Sequence, residues 1–561
     1  MESIYNIAEI CSKKGLNNFV LSPGSRCAPL TVSIVNHPKL TSRTVTDERS
    51  AAFIALGLSL ETQKPVGLLC TSGTAALNYA PAVAEAFYQQ IPLIILTADR
   101  PPEWVDQQDG QTIRQQNIYG NHVKKFFQLP TDHQNPDSAW HIQRSISEAI
   151  NLAESYPKGP VHINIPLREP FYPKNSNDVK YSAARIIEKV KAQSAVDTSD
   201  LKQLIQLFNQ SEKVVLLSGQ NNDNTELNTA VSIFTDHHRI PLWAEPIANL
   251  HCKNKIQNID IILSGEPELE KLSPDLLITF GQSVLSKSLK SFLRKYKPKH
   301  HWHIDPSGEA ADTYQCLSHI IPVEPKSFFS IFKGDIKNDE WLNNWITMDN
   351  KGLTILSNFF NSQSEFSEFE AAFQVTKNLS PEIILHLSNS MPVRYANYFG
   401  SFIDSGTVVR ANRGTSGIDG VLSTAVGNAL CTEKLVFLLT GDLAFFYDRN
   451  AFWNNYLPDN LRIVLLNNHG GGIFNMIDGP KNLKEASEYF ITNQKLKADH
   501  IAGEFNLDYL HCNDRESFKA ALPKLLPTSG KSKILEIETS IDNNTKVFNS
   551  FKQQIKEQFG K

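Results

Sequence analysis

Short runs that are apolar at every position recur along the whole chain, and each is closed by glycine or a small polar residue. NFVLSPG (18–24), VGLLCTSG (66–73), IPLIILTADRP (91–101) and GPVHINIP (159–166) form a first set. A strand that faces water on one side alternates polar and apolar residues. A strand covered by helices on both sides does not, and that is the pattern of a parallel sheet. Between the runs, Glu48 to Leu60 and Thr74 to Gln90 carry Ala and Leu at helical spacing. Strands alternating with helices predict a doubly wound α/β domain. VVLLSG (214–219), IPLWAEP (240–246), LLITFG (276–281) and HWHID (301–305) repeat the pattern, as do TVVRANRG (407–414), LVFLLTGD (435–442), IVLLNNHGGG (463–472) and KILEIETS (533–540). A polar stretch at 172–200 and a polar, helical stretch at 333–370 separate the sets. Three doubly wound parallel-sheet domains are therefore expected, over 1–180, 195–345 and 350–561. The first and third are of similar size and type, which hints at related halves.

Composition removes several classes of function. The 561 residues carry 55 Lys and Arg against 59 Asp and Glu, a net charge of -4. A bulk binder of nucleic acid or anionic membrane would show a basic surplus. No run of 18 apolar residues predicts a membrane-spanning helix. The N-terminal MESIYNIAEICSKKG lacks the basic, apolar and cleavage regions of a secretory signal, so a cytoplasmic location is expected. Seven scattered cysteines with no CxxC pair predict free thiols in a reducing compartment.

The loops that close the apolar runs are where chemistry is expected. SPGSR, TSGTA, GQS and GD follow NFVL, GLLC, LLITF and VFLLT. In open α/β sheets, ligands bind outside the carboxyl ends of the strands, and such loops offer backbone N–H groups to anions. Asp442 lies just past one strand and Asn468 just past the next, 26 residues on. That interval suits one crossover, which sets the two side by side at one sheet edge. A carboxylate, an amide oxygen and a backbone carbonyl are hard ligands suited to Mg²⁺, and Gly470–Gly471–Gly472 lets backbone approach a diphosphate. The plainer alternative makes Asp442 a helix cap and Asn467 and Asn468 turn residues.

The Gly-Asp pair followed by Asn-Asn resembles the motif of thiamine-diphosphate (ThDP) enzymes. The resemblance implies that Asp442, Asn468 and the Gly470 carbonyl hold Mg²⁺ or Mn²⁺. It also implies a glutamate in the first domain that hydrogen-bonds the aminopyrimidine ring and promotes its imino form. Glu48 in VTDERSAAFIALG fits, although a carboxylate at a helix N-terminus is also a simple dipole complement. Longer stretches narrow the likeness: SPGSRCAPL (22–30), TDERSAAFIALGLSL (46–60), TSGTAALNYAPAVAEA (71–86), ADRPPE (98–103), QTIRQ (111–115), NRGTSGIDGVLSTAVG (412–427) and NNHGGGIF (467–474). From about Asn17 to about Phe474 the chain resembles the 2-succinyl-5-enolpyruvyl-6-hydroxy-3-cyclohexene-1-carboxylate synthase family of menaquinone biosynthesis, densely in the first and third domains and sparsely in the middle.

That family decarboxylates 2-oxoglutarate on ThDP and adds the remaining unit to isochorismate in a 1,4 fashion. Both substrates are dicarboxylates, and buried carboxylates need paired cations. The resemblance gives Ser25, Arg26, Arg100, Gln111, Lys287 and Arg413 to isochorismate, and Ser390 and Arg394 to the distal carboxylate derived from 2-oxoglutarate. It gives Thr74, Gly441, Leu443, Gly472 and Ile473 to the cofactor, Ile418 to the apolar wedge that keeps it bent, and Ile473 and Phe474 to the walls of the reacting pocket. It further implies a homodimer with shared active sites, assembled as a homotetramer. The sequence departs from some relatives at Ser288, Gly110 and His469, where they carry Arg, Asn and Asn. Another ThDP-dependent 2-oxo-acid decarboxylase or carboligase stays open as an alternative, as does a non-catalytic homologue.

Overall fold

The computed structural model describes residues 1–169, 171–173, 178–476 and 482–559. Its strands fall into three six-stranded sheets, every pairing parallel. The first holds β1 (Asn18–Leu21), β2 (Thr41–Thr44), β3 (Val66–Cys70), β4 (Leu93–Asp99), β5 (Phe126–Gln128) and β6 (Val161–Pro166), in the order β2-β1-β3-β4-β6-β5. The second holds β7 (Val214–Ser218), β8 (Leu242–Ala244), β9 (Lys255–Ile256), β10 (Leu276–Phe280), β11 (His300–Ile304) and β12 (His319–Ile321), in the order β12-β11-β10-β7-β8-β9. The third holds β13 (Ile384–Leu387), β14 (Val408–Arg410), β15 (Val436–Gly441), β16 (Leu461–Asn467), β17 (Asp508–Cys512) and β18 (Lys533–Glu538), in the order β14-β13-β15-β16-β18-β17. The first and third sheets share one strand order, and the middle sheet has another.

The all-apolar runs are central strands. β3, β4, β7, β10 and β16 are buried at every residue. The strands that sequence reading passed over are short or polar: β2 reads TSRT and β17 reads DYLHC, each at or near a sheet margin. The helical stretch 74–90 is two helices, Thr74–Asn78 and Ala80–Tyr88. The polar stretch at 333–370 contains one long helix, Asp339–Ser362. Among the described residues no helix is long and apolar enough to cross a membrane. All seven cysteines are free.

Two cores join the domains. One is shared by the first and third domains and is centred on the helices Glu48–Thr62 and Val421–Ala429. The first of these is apolar all round because it is covered all round, with Ser50 to Leu60 buried without a break. Asp47 caps it, accepting from the Ser50 N–H at 3.2 Å. The two helices touch backbone to backbone. A Cβ on Gly57 would stand 2.1 Å from the Thr424 carbonyl oxygen, and one on Gly427 would stand 2.1 Å from that of Ile54. The contact is reciprocal, as across a two-fold axis. The other core runs from the middle sheet into the third domain, through Trp243, Trp345, Phe369 and Phe551.

All three domains clasp β14 and the segment after it. Gln89 and Gln220 both donate to the Ala411 carbonyl, at 3.1 and 2.9 Å. Asn249 pairs with both backbone groups of Val409, at 2.9 and 2.8 Å. Glu85, buried in the first domain, accepts from the N–H groups of Gly414 and Thr415 at 2.8 and 2.7 Å.

Candidate active site

β15 and β16 are adjacent, with Gly441 opposite Leu466, so Asp442 and Asn468 emerge together at the carboxyl edge of the third sheet. Asp442 opens the helix Asp442–Tyr447 and is 2% exposed. One carboxylate oxygen accepts from the Leu443 N–H at 2.8 Å and the other from Gln494 Nε2 at 2.7 Å. Burial pushes this carboxyl up, and those donors, with the Gly470 N–H, pull it back. Asn468 donates its Nδ2 to Glu368 at 2.9 Å, while its Oδ1 is buried with no partner. His469 takes φ +65°, which turns the chain into the glycine run, and pairs with Glu538 at 2.9 Å. A Cβ on Gly470 would lie 2.9 Å from Ile491, and one on Gly472 would lie 2.9 Å from Asn468 Nδ2, so this run has room for backbone only.

The cation criterion is met by this set. Asp442 offers a carboxylate, Asn468 an orphaned amide oxygen, and the glycines a backbone that a ligand can approach closely. Among the described residues there is no cluster of three His, Cys, Asp or Glu side chains able to hold a metal. A site built from one carboxylate, one amide and one carbonyl has no such cluster.

The same cavity gathers most of the residues expected from the sequence. Ser390, Arg394, Arg413, Ile418, Gly441, Leu443, Gly472, Ile473 and Phe474 line it with Asp442, Asn468 and Gly470. Ser390 follows β13 at φ +74° and its carbonyl accepts from Arg394 Nη1. Arg413 donates to Asn389 Oδ1 at 2.7 Å, and Asn389 in turn donates to the carbonyls of Asn412 and Gly417. Burial lowers both guanidinium pKa values. Like charge from Arg413 lowers that of Arg394 further, against the opposing Asp260. Asp260 acts on Arg394, and Glu245 and Glu85 on Arg413, so the cavity presents two guanidinium groups of a kind that can pair with carboxylates.

The first-domain residues lie elsewhere in the chain. Glu48 begins its helix half-buried and accepts from Asn78 Nδ2 at 3.4 Å. Ser25 and Thr74 are exposed beside the carboxyl ends of β1 and β3. Gln111, at φ +53°, packs its backbone toward Gly73. Arg100 pairs with Asp109 at 3.3 Å and donates to the Gly110 carbonyl at 2.8 Å. Arg26 is turned inward: it is 6% exposed, donates to the Leu167 carbonyl at 2.9 Å and stacks over Phe171. Lys287 is exposed at the start of the helix Lys287–Lys295 in the middle domain. Ser286, which caps that helix, donates to Asp260, which also takes Asn397 Nδ2 at 2.7 Å, one helical turn from Arg394. None of Ser25, Arg26, Glu48, Thr74, Arg100, Gln111 and Lys287 lines the Asp442 cavity, whose described walls run from Glu368 to Phe474.

Sequence reasoning missed Glu368, Asn389 and Gln494, the side chains that orient Asn468, Arg413 and Asp442. Asn389 follows an apolar run, IILHLSN, and strand-end reasoning reaches it once that run is read as a strand. Glu368 and Gln494 sit in polar stretches that carry no such signal.

Residues 5–119 match the N-terminal TPP-binding domain of thiamine pyrophosphate enzymes, and residues 187–387 match the middle domain of thiamine pyrophosphate enzymes. A 2-succinyl-5-enolpyruvyl-6-hydroxy-3-cyclohexene-1-carboxylate synthase of Cytophaga hutchinsonii is 47% identical over all of both chains. Synthases of the same name are 39% identical in Flavobacterium psychrophilum, over 98% of each chain, and 36% identical in Porphyromonas gingivalis, over 97% of this chain and 96% of that one. End-to-end similarity at this level, with both matched domains in place, shows that the chain belongs to the thiamine-diphosphate-dependent family of 2-succinyl-5-enolpyruvyl-6-hydroxy-3-cyclohexene-1-carboxylate synthases.

Proposed function

We propose that the chain decarboxylates 2-oxoglutarate and adds the remaining four-carbon unit to isochorismate by 1,4-addition, releasing CO₂. The observation that carries this reading is the meeting of Asp442, Asn468 and the glycine run with Arg394 and Arg413 in one cavity. Asp442, Asn468 Oδ1 and the Gly470 carbonyl would hold Mg²⁺ or Mn²⁺, and Gly441, Leu443 and Gly472 would lie along the diphosphate. Bound there, ThDP supplies a carbon nucleophile and a sink for the electrons left by CO₂. The chain's own residues bind, orient and balance charge. Arg394, with Ser390 beside it, would grip the distal carboxylate of the 2-oxo acid. Arg413, pinned by Asn389, would face isochorismate. Ile418, 40% exposed, would press on the cofactor from below, and Ile473 and Phe474 would keep water from the reacting carbon.

Glu48 would hold a proton at the pyrimidine ring nitrogen. It stands at a different sheet from the Asp442 cavity, with Thr74, Ser25, Arg26, Arg100 and Gln111 around the same strand ends. In our reading a second copy of the chain brings that face over the cavity, giving a homodimer with two shared sites and a homotetramer from two such pairs. Leu77, 44% exposed next to Asn78, then lies in the contact. Lys287 would reach isochorismate from the middle domain.

The test is turnover with 2-oxoglutarate, ThDP and Mg²⁺, with and without isochorismate. An isochorismate-dependent adduct is expected. Release of the aldehyde at a rate that isochorismate leaves unchanged would replace this reading with that of a simple decarboxylase. Glu48→Gln should fold and bind ThDP but lose most exchange of the thiazolium C2 proton. Near-normal exchange would end the assignment of Glu48.

A further inference from the structure

The carboxylate behind Asn468 has no role in the chemistry so far. Glu368 stands in the first turn of the helix Glu368–Lys377, is 1% exposed, and reaches the wall of the Asp442 cavity. Its backbone N–H is tied to Asn544 Oδ1 at 3.0 Å. Its two oxygens are each taken: Tyr395 donates its hydroxyl to one at 2.6 Å, and Asn468 donates Nδ2 to the other at 2.9 Å. Both donors are themselves buried or half-buried, and Tyr395 is fully buried.

An asparagine amide has two unlike ends, and half a turn about Cβ–Cγ exchanges them. A carboxylate accepts and does not donate. Placed against such an amide, it admits the NH₂ end and rejects the oxygen. The oxygen is then left to point away, and here Asn468 Oδ1 is buried without a partner in the same cavity as Asp442. Gly472 closes the remaining side, since its Cβ would stand 2.9 Å from Nδ2. An orphaned acceptor of this kind is costly unless a ligand meets it. We propose that Glu368 is the positioning residue that keeps the Asn468 amide oxygen, and not its NH₂, turned toward the cation. This rests on the reading of Asp442 and Asn468 as metal ligands. Tyr395 serves the same end one step back, by fixing the carboxylate that fixes the amide.

The experiment is titration of metal-free full-length protein with Mn²⁺ in the presence of ThDP, followed by the loss of the free-ion EPR signal. Four variants are needed: Glu368→Gln, Asn468→Asp, the two combined, and Asn468→Ala. A glutamine at 368 can donate as well as accept, so it tolerates either amide orientation. Glu368→Gln should weaken Mn²⁺ about 10–100-fold, the usual effect of losing a partner behind a metal ligand. In Asn468→Asp an oxygen faces the cation whichever way the group turns, and Glu368 becomes an unwelcome like charge. There the Glu368→Gln change should leave Mn²⁺ affinity level or raise it. Equal weakening in both backgrounds would mean that Glu368 acts through the fold alone and would overturn the proposal, as would Mn²⁺ binding by Glu368→Gln within twofold of the parent. If Asn468→Ala and the parent bind Mn²⁺ alike, the metal site itself is misplaced and the proposal goes with it. Should Glu368→Gln not accumulate as folded protein, Tyr395→Phe gives the second reading: about tenfold weaker Mn²⁺ is expected, and unchanged affinity overturns the proposal.

Discussion

Replacing Gly57 with alanine adds one methyl group at the point where the first and third domains touch. The new Cβ would stand 2.1 Å from the Thr424 carbonyl oxygen and 2.8 Å from the Asn428 nitrogen. A carbon–oxygen contact settles near 3.3–3.6 Å, so the helices must part by about 1.2 Å. The obstacle is backbone inside a helix and cannot rotate aside. The reciprocal contact of Gly427 on the Ile54 carbonyl opens with it, and the core around Phe53, Ile54 and Val426 loses packing. Overpacking usually costs about 1–3 kcal/mol, and more where nothing gives. Alanine recovers about 1 kcal/mol of helix propensity. Backbone cannot give way, so the upper end of about 3 kcal/mol applies, and a net loss of about 2 kcal/mol is expected. Gly503 is the matched control. It lies in the helix Asp499–Glu504 with nothing within 4 Å of its would-be Cβ, so Gly503→Ala should be neutral or slightly stabilising. Urea unfolding of the two variants beside the parent measures the difference. The helix that Gly57 holds begins at Glu48, and the one it meets follows the loop of Arg413 and Ile418. A displacement of about 1 Å at reacting groups can cost about 100-fold, so kcat/KM should fall by at least tenfold. If Gly57→Ala matches Gly503→Ala in urea and keeps its kcat/KM, the close crossing does not hold the two domains as described.

Arg394→Ala should chiefly raise KM for 2-oxoglutarate and Arg413→Ala that for isochorismate, each by about 10–100-fold for the loss of a charged hydrogen bond of about 1.5–3 kcal/mol. Steady-state kinetics with each substrate varied decides, and two unchanged KM values would refute the map. Glu85→Ala strands the buried N–H groups of Gly414 and Thr415, each worth about 1–3 kcal/mol, while relieving a carboxyl that burial holds above its ordinary range. A net destabilisation of about 2–3 kcal/mol in urea, with a higher KM for isochorismate, is expected. Glu538 is held down to about 2 from 4.5 because His469, His511 and Lys497 together outweigh its burial. A depressed carboxyl stabilises the fold above its unfolded pKa and loses that contribution as pH falls through the folded value. These partners are largely exposed and solvent screens them, so Glu538→Gln should be about 1 kcal/mol less stable than the parent at neutral pH. The gap should close between pH 4.5 and 2, and an equal gap at both ends of a urea–pH series would refute it.

Most of the framework could be read from the chain because its central strands are covered on both sides and so carry no polar positions. β3, β4, β7, β10 and β16 stand out for that reason. Near the margins the rule fails. β2 and β17 keep polar residues because half of each strand meets water, and nothing local separates TSRT from a loop. Asp442 and Asn468 were legible because adjacent strands in a parallel sheet end together. Arg26 was legible as a strand-end cation, but not its direction, since Leu167 and Phe171, which hold it inward, lie about 140 residues away. The polar stretch at 172–200 carries no local sign of where it docks. Between 182 and 187 it is strapped to the first domain by Asn6, Lys13 and Asn151, whose partners there are backbone and hydroxyl groups without a side-chain pattern. Glu368 escaped for a similar reason: its two partners are contributed by Tyr395 and Asn468, the second 100 residues distant.

The clasp on residues 409–415 makes Arg413 a report on completeness. Its loop exchanges hydrogen bonds with Glu85 and Gln89 of the first domain, with Gln220 and Asn249 of the second, and with Asn389 of its own. A nascent or nicked polypeptide with any one of these units undocked leaves that guanidinium without its mould. On the role proposed for Arg413, competence for the acceptor anion would arrive late and all at once, and a half-built molecule would be silent instead of indiscriminate.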